Sequence, residues 1–214
     1  MNLIHQMRCR LADVRNRGVY AGWPNDNRAI FIHLPKTAGT SVSRALGLSS
    51  SRHIPAESYR RANPKKFTNF FKFAFVRNPY DRLLSSYAFL MNGGMNDDDA
   101  RFATAHVKPF GSFSEFVIEG LALNPKIRAW VHFRPQTEFV CDAAGSSLMD
   151  FIGRFESISE DYAMVADRLG LSSELPVTNR SKRGDYREAF NTESLDIVRQ
   201  IYSRDLKTFR YEFD

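Results

Sequence analysis

Ala29-Ile30-Phe31-Ile32-His33-Leu34-Pro35-Lys36-Thr37-Ala38-Gly39-Thr40-Ser41 is the stretch from which the fold can be read. Ala29 to His33 is short, apolar and rich in β-formers, the pattern of a strand buried on both faces. Pro35 stops it, a polar turn follows, and a helix-like stretch runs on through Leu46. A turn that joins a strand to a helix is suited to anions, because the first helical turn leaves N–H groups unpaired and its dipole favours negative charge. Gly39 lets backbone and phosphate come close, Thr40 and Ser41 offer hydroxyls, and Lys36 supplies a mobile positive charge.

The nucleotide-triphosphatase loop is excluded. That loop needs G-x-x-x-x-G-K-[ST], with Lys directly after the second Gly. Here Lys36 stands three residues before Gly39, and no other stretch of the chain matches.

A second strand–helix unit lies downstream. Phe71-Lys72-Phe73-Ala74-Phe75-Val76 reads as a strand, and Pro79 opens a helix running to about Met91, since Pro fits the first helical turn. Arg77 falls at the strand end, and Ser85 comes eight positions later, about two turns into the helix. A guanidinium fork can give two hydrogen bonds to one phosphate, so Arg suits such a position.

The two stretches in this order resemble the donor site of sulfotransferases that use 3′-phosphoadenosine 5′-phosphosulfate (PAPS). P-K-T-x-G-T resembles the 5′-phosphosulfate loop, and R-x-P followed by a helical Ser resembles the 3′-phosphate motif. His132-Phe133-Arg134-Pro135-Gln136, Arg154-Phe155-Glu156 and the tail from Asn179 to Tyr211 look like the branch containing carbohydrate sulfotransferases. The resemblance covers roughly residues 29 to 214. It implies an α/β fold, a P-loop-like parallel sheet flanked by helices, in one domain over residues 1–214 with residues 1–28 as an N-terminal extension. It implies in-line, metal-independent sulfuryl transfer from PAPS to a carbohydrate or other hydroxyl acceptor, an anionic one among the candidates, with 3′-phosphoadenosine 5′-phosphate as product.

Site residues follow from the same resemblance. Pro35, Lys36, Thr37, Ala38, Gly39, Thr40 and Ser41 would surround the 5′-phosphate, with Lys36 at the bridging oxygen. Arg77 and Ser85 would hold the 3′-phosphate. Ser181, Lys182 and Arg183 form a polar loop comparable to one that related enzymes place around the nucleotide. A base must take the acceptor's proton, and His titrates in the useful range. His53 is the first choice, because related heparan sulfotransferases carry their proposed base in this interval; His132 is the second. His33, inside the strand run, is expected to be packed and hydrogen-bonded.

Two rivals remain at this level: a P-loop-type kinase or nucleotide hydrolase of unusual loop sequence, and a non-catalytic binder of anionic glycans. The charge of +6 admits any anionic partner, nucleic acid included. The aromatics fall at core-like strand positions rather than in a base-stacking motif, so nucleic acid is not expected. Arg60-Arg61 and Lys65-Lys66 read as a solvated face or as a guide for an anionic acceptor.

The 214 residues, 43% hydrophobic and 25% charged, suit a soluble globular protein with a substantial core, and 18 Phe make that core aromatic. Cys9 and Cys141, far apart, form neither a disulfide framework nor a metal site. The first 20 residues carry Arg8, Arg10, Arg15 and Arg17 without a long apolar run, so no signal or membrane span is read and a cytoplasmic protein is expected. Oligomeric state is left open.

Six further elements are expected. Asn96-Asp97-Asp98-Asp99 reads as a solvated loop, Ser112 and Glu115 as a capping box, and Glu138–Cys141 and Asp150–Phe155 as strands. Ser157 and Glu160 should cap a helix that Gly170 ends, and a last helix should run from about Thr192 to Lys207.

Overall fold

The computed structural model describes residues 11–15, 17–48, 51–176 and 184–213. The chain forms two compact units, one from Met1–Val76 and Gln136–Thr178, the other from Arg77–Pro135 and Asn179–Asp214.

The first unit holds a three-stranded parallel sheet in the order β1 (Ala29–Ile32), β2 (Phe71–Val76), β3 (Phe151–Arg154). Parallel strands need crossovers, and helices supply them, so the fold is α/β as expected. All of β1 and all but the first residue of β2 are buried, which is why β1 reads as an unbroken apolar run and β2 as one broken only at Lys72. Phe31 and Phe73 pair across the sheet with ring centroids 5.3 Å apart. Phe73 and Phe75 join Val42, Leu46, Tyr162 and Val165 in one core beneath the Gly39–Ala45 and Ile158–Leu169 helices. Lys72 is buried within β2 and reaches Asp150 at 2.7 Å, which keeps its charge paired.

Residues before β1 are tied into this unit, Trp23 packing against the core itself. The fully buried Tyr20 donates its hydroxyl to the carbonyls of Tyr59 and Asn63 at 2.9 and 3.2 Å. Lys66 donates to Asp13 and Asn25, both at 2.8 Å.

The second unit is helical. The Pro79–Met91, Asp97–His106 and Thr192–Ile201 helices pack through Leu83, Leu90, Phe102, Phe116, Phe133, Val198 and Tyr202. Arg82, 1% exposed, donates to the carbonyls of His132 and Arg134 at 3.3 and 2.6 Å, and Ser86 adds a bond to His132 at 2.9 Å. Tyr202 donates to the carbonyl of Phe133 at 2.6 Å. Three consecutive carbonyls are thus satisfied by side chains, as a buried irregular segment requires.

Five expectations are corrected. The acidic run is the first turn of the Asp97–His106 helix, with Asn96 as N-cap accepting from the Asp99 N–H at 2.9 Å. An acidic first turn favours the helix dipole, so this composition marks a helix start as well as a loop, and Asp99 is buried rather than solvated. Glu138–Cys141 is not a strand: Thr137–Val140 is helical, because so short a run with two or three apolar residues fits either period. Ser157 does not cap its helix; its hydroxyl donates to Asp161 at 2.9 Å. The last helix is two, Thr192–Ile201 and Ser203–Phe209, interrupted at Tyr202. At Ser112 the cap is half a box. Its hydroxyl accepts from Glu115 N–H at 3.1 Å, while the Glu115 carboxylate turns to the Gly111 N–H at 2.7 Å.

Candidate functional site

The turn after β1 is braced by a hydroxyl within it. Thr37 Oγ1 donates to the Leu34 carbonyl at 3.1 Å. Lys36 and Ala38 both have left-handed backbones, with φ of 67° and 61°. A left-handed non-glycine residue costs about 1–2 kcal/mol, and such strain concentrates where a loop must present its backbone to a ligand. Left-handed Ala38 precedes helical Gly39, and that alternation turns successive N–H groups to one side, the arrangement that cups an anion. Pro35, Thr37, Gly39 and Ser41 are buried, whereas Lys36, Ala38 and Thr40 are half-buried.

Gly39 has a further reason to lack a side chain. A Cβ there would stand 1.9 Å from Cδ2 and 2.0 Å from Nε2 of His33. His33 is buried, stacked on Phe31, and its Nδ1 meets Ser51 Oγ at 2.6 Å. Ser51 Oγ in turn meets Ser43 Oγ, on the helix that Gly39 opens, at 2.7 Å. His53 is half-buried, and its Nδ1 lies 2.9 Å from the carbonyl oxygen of His33. A carbonyl only accepts, so Nδ1 carries the proton and the lone pair of the neutral ring sits on Nε2. The two imidazoles are edge to face with centroids 4.4 Å apart. The loop, the His33 ring and the His53 ring therefore form one contiguous group within the first unit.

Arg77 and Ser85 belong to the second unit. Arg77 directly follows β2, is 6% exposed, and pairs with Asp81. Ser85 is buried on the Pro79–Met91 helix, four residues beyond Asp81 and so on the same helical face. Asp81 and Arg82 carried no role in the sequence reading; the four-residue spacing of Arg77 and Asp81 was the signal for their pairing, whereas the burial of Arg82 comes from packing that spacing does not reveal.

His132 is also in the second unit, 6% exposed, with Nε2 3.3 Å from Asp99 Oδ1 and its ring against Phe89. Asp99 comes from the acidic run misread as a loop. Ser181, Lys182 and Arg183 lie outside the described residues. Just beyond them Asp185 opens the Tyr186–Ala189 turn, and hydrogen bonds from Arg187 hold its carboxyl down at about 2.

The basic run between the two motifs is largely paired. Arg60 and Arg61 both meet Glu57, at 2.6 and 2.8 Å, and Lys66 meets Asp13, while Arg61 and Lys65 are exposed. Among the described residues, no group of three or more His, Cys, Asp or Glu side chains is placed to hold a metal ion, and no helix is long and apolar enough to cross a membrane.

A family model described as the sulfotransferase family matches residues 24–212. The chain is similar to carbohydrate sulfotransferase 11 of Mus musculus and of Rattus norvegicus. Each is 22% identical over 277 residues, covering 98% of this chain and 76% of the relative. No solved structure matches significantly.

Proposed function

The chain belongs to the sulfotransferase family, and from that premise we propose that it moves a sulfuryl group from PAPS to a hydroxyl of a carbohydrate. The observation that carries the reading is topological. β1 and β2 are parallel neighbours, Ile32 beside Ala74, so their carboxyl ends share one sheet edge, and each leads into one of the two phosphate motifs. Ligands of open α/β sheets bind at such ends.

The donor supplies the sulfuryl group and, once it has left, a phosphate that departs with the bonding electron pair. The residues of this chain do the rest. The backbone N–H groups of Thr37 to Ser41 hold the 5′-phosphate, and Arg77 and Ser85 hold the 3′-phosphate. Lys36 neutralises charge growing on the bridging oxygen, where an electrostatic contact gains most in the transition state. His53 takes the proton of the acceptor hydroxyl on Nε2 as that oxygen bonds to sulfur. The support for a carbohydrate acceptor is the kinship with carbohydrate sulfotransferase 11.

Calorimetry with 3′-phosphoadenosine 5′-phosphate tests the donor: binding without Mg²⁺, and weak binding of ATP, is expected. Mg²⁺-dependent ATP binding in its place would point to a kinase. Sulfate uptake from labelled PAPS across a panel of glycans and simple alcohols then tests the acceptor. Transfer to alcohols but to no glycan overturns that part.

A further inference from the structure

We propose that His33 is a positioning residue that holds the donor loop and the base His53 in register. The inference rests on the transfer reading above and adds a residue to it. Three contacts converge on this one residue. Its ring occupies the space a Gly39 side chain would need, at the end of the loop. Its Nδ1 is tied to Ser51, and through Ser51 to Ser43 on the helix that continues the loop. Its main-chain carbonyl takes the Nδ1 proton of His53 and so leaves Nε2 as the acceptor.

His33 links β1, the loop, the helix after it and the second imidazole, with every link inside the first unit. A shift of the loop toward β1 meets this ring, because the ring fills the space beside Gly39. A shift of His33 then carries the carbonyl that orients His53. The coupling is mechanical and acts through His53: His33 itself need not touch the acceptor or the donor.

Two measurements test this in the full chain. In ¹⁵N-histidine spectra, His53 should be the Nδ1–H tautomer whenever it is neutral; an Nε2–H tautomer overturns the arrangement. Kinetics supply the second. His33→Phe keeps the ring volume and loses the Ser51 bond, and should lower kcat tenfold or more. The Kd for 3′-phosphoadenosine 5′-phosphate and the acceptor KM should stay within threefold. Ser51→Ala, a milder change less able to disturb folding, should lower kcat in the same direction. His33→Asn, which can restore a polar atom toward Ser51, should recover part of the loss. Unchanged kcat in both His33→Phe and Ser51→Ala overturns the proposal. So does a fall in kcat matched by equal losses in nucleotide affinity and melting temperature, which would make His33 a plain core residue. The underlying reading fails differently: wild-type protein that takes up no 3′-phosphoadenosine 5′-phosphate defeats the donor assignment, while the His53 tautomer still decides the arrangement.

Discussion

The Arg77 guanidinium grips a single carboxylate oxygen of Asp81 with two nitrogens, Nε at 2.7 Å and a terminal nitrogen at 2.6 Å. One edge of the fork is thereby fixed, and a fixed fork loses less freedom when it takes up a phosphate. Arg77→Ala should reduce the preference for 3′-phosphoadenosine 5′-phosphate over adenosine 5′-phosphate tenfold or more, because only the former carries the group Arg77 is proposed to hold. Asp81→Asn keeps the shape and weakens the grip, and should reduce the same ratio by a smaller factor. Calorimetry with both nucleotides measures it. An unchanged ratio in Arg77→Ala removes Arg77 from the 3′-phosphate.

Lys36 stands on the left-handed first turn of the donor loop, and its proposed task belongs to the transition state. Lys36→Ala should therefore lower kcat a hundredfold or more while changing donor affinity less than tenfold. Equal losses in both would make Lys36 a simple binder of phosphate.

Gly39 distinguishes two reasons for one glycine. Gly39→Ala drives a methyl into the His33 ring, so it should cost both stability and turnover. In the double variant Gly39→Ala with His33→Ala, the room returns. Its melting temperature should then lie above the value expected from adding the two single losses. If nucleotide affinity remains lost even there, the absent side chain serves the phosphate instead.

Much of the sheet was legible because its punctuation is local. Pro35 follows closely on the end of β1, Pro79 opens the helix after β2, and Gly170 ends the Ile158–Leu169 helix in a left-handed turn. What stayed hidden depends on partners far away in sequence. Thr137–Val140 is too short for its pattern to tell strand from helix, and tertiary packing decides. Asp99 looks like a solvated acid until His132, 33 residues on, is seen beside it. His33 read as a core residue, and nothing in the spacing shows that Ser51 and His53 return to meet it.

The strain at Ala38 is separable from function. Glycine there removes about 1–2 kcal/mol of left-handed strain and gives back about 0.5–1 kcal/mol in unfolded-chain entropy. Ala38→Gly should thus raise stability by about 0.5–1 kcal/mol in urea melts, and Ala38→Val, branched at the same strained φ, should lower it. A destabilised Ala38→Gly would mean that the left-handed turn is relaxed in solution.

Tyr20 supplies a pH dependence that owes nothing to catalysis. Burial first, then the charge of Asp13 and the neighbouring Tyr59, push its phenol well above the ordinary tyrosine range, and burial raises Tyr59 and Tyr162 in the same direction. An unfolded phenol releases its proton near pH 10; the folded one keeps it. Above that pH the unfolded state binds fewer protons, so stability falls as pH rises, and below it the contribution is fully present. The slope is at most about 1.4 kcal/mol per pH unit for each proton withheld. Urea melts should therefore show no phenol-linked change from pH 7 to 9 and a decline beyond 10. Tyr20→Phe, which also loses its two hydrogen bonds at a cost of about 1–3 kcal/mol, should make that decline shallower by up to one proton. An equal slope in Tyr20→Phe would show that Tyr20 ionises in the folded chain as readily as in the unfolded one.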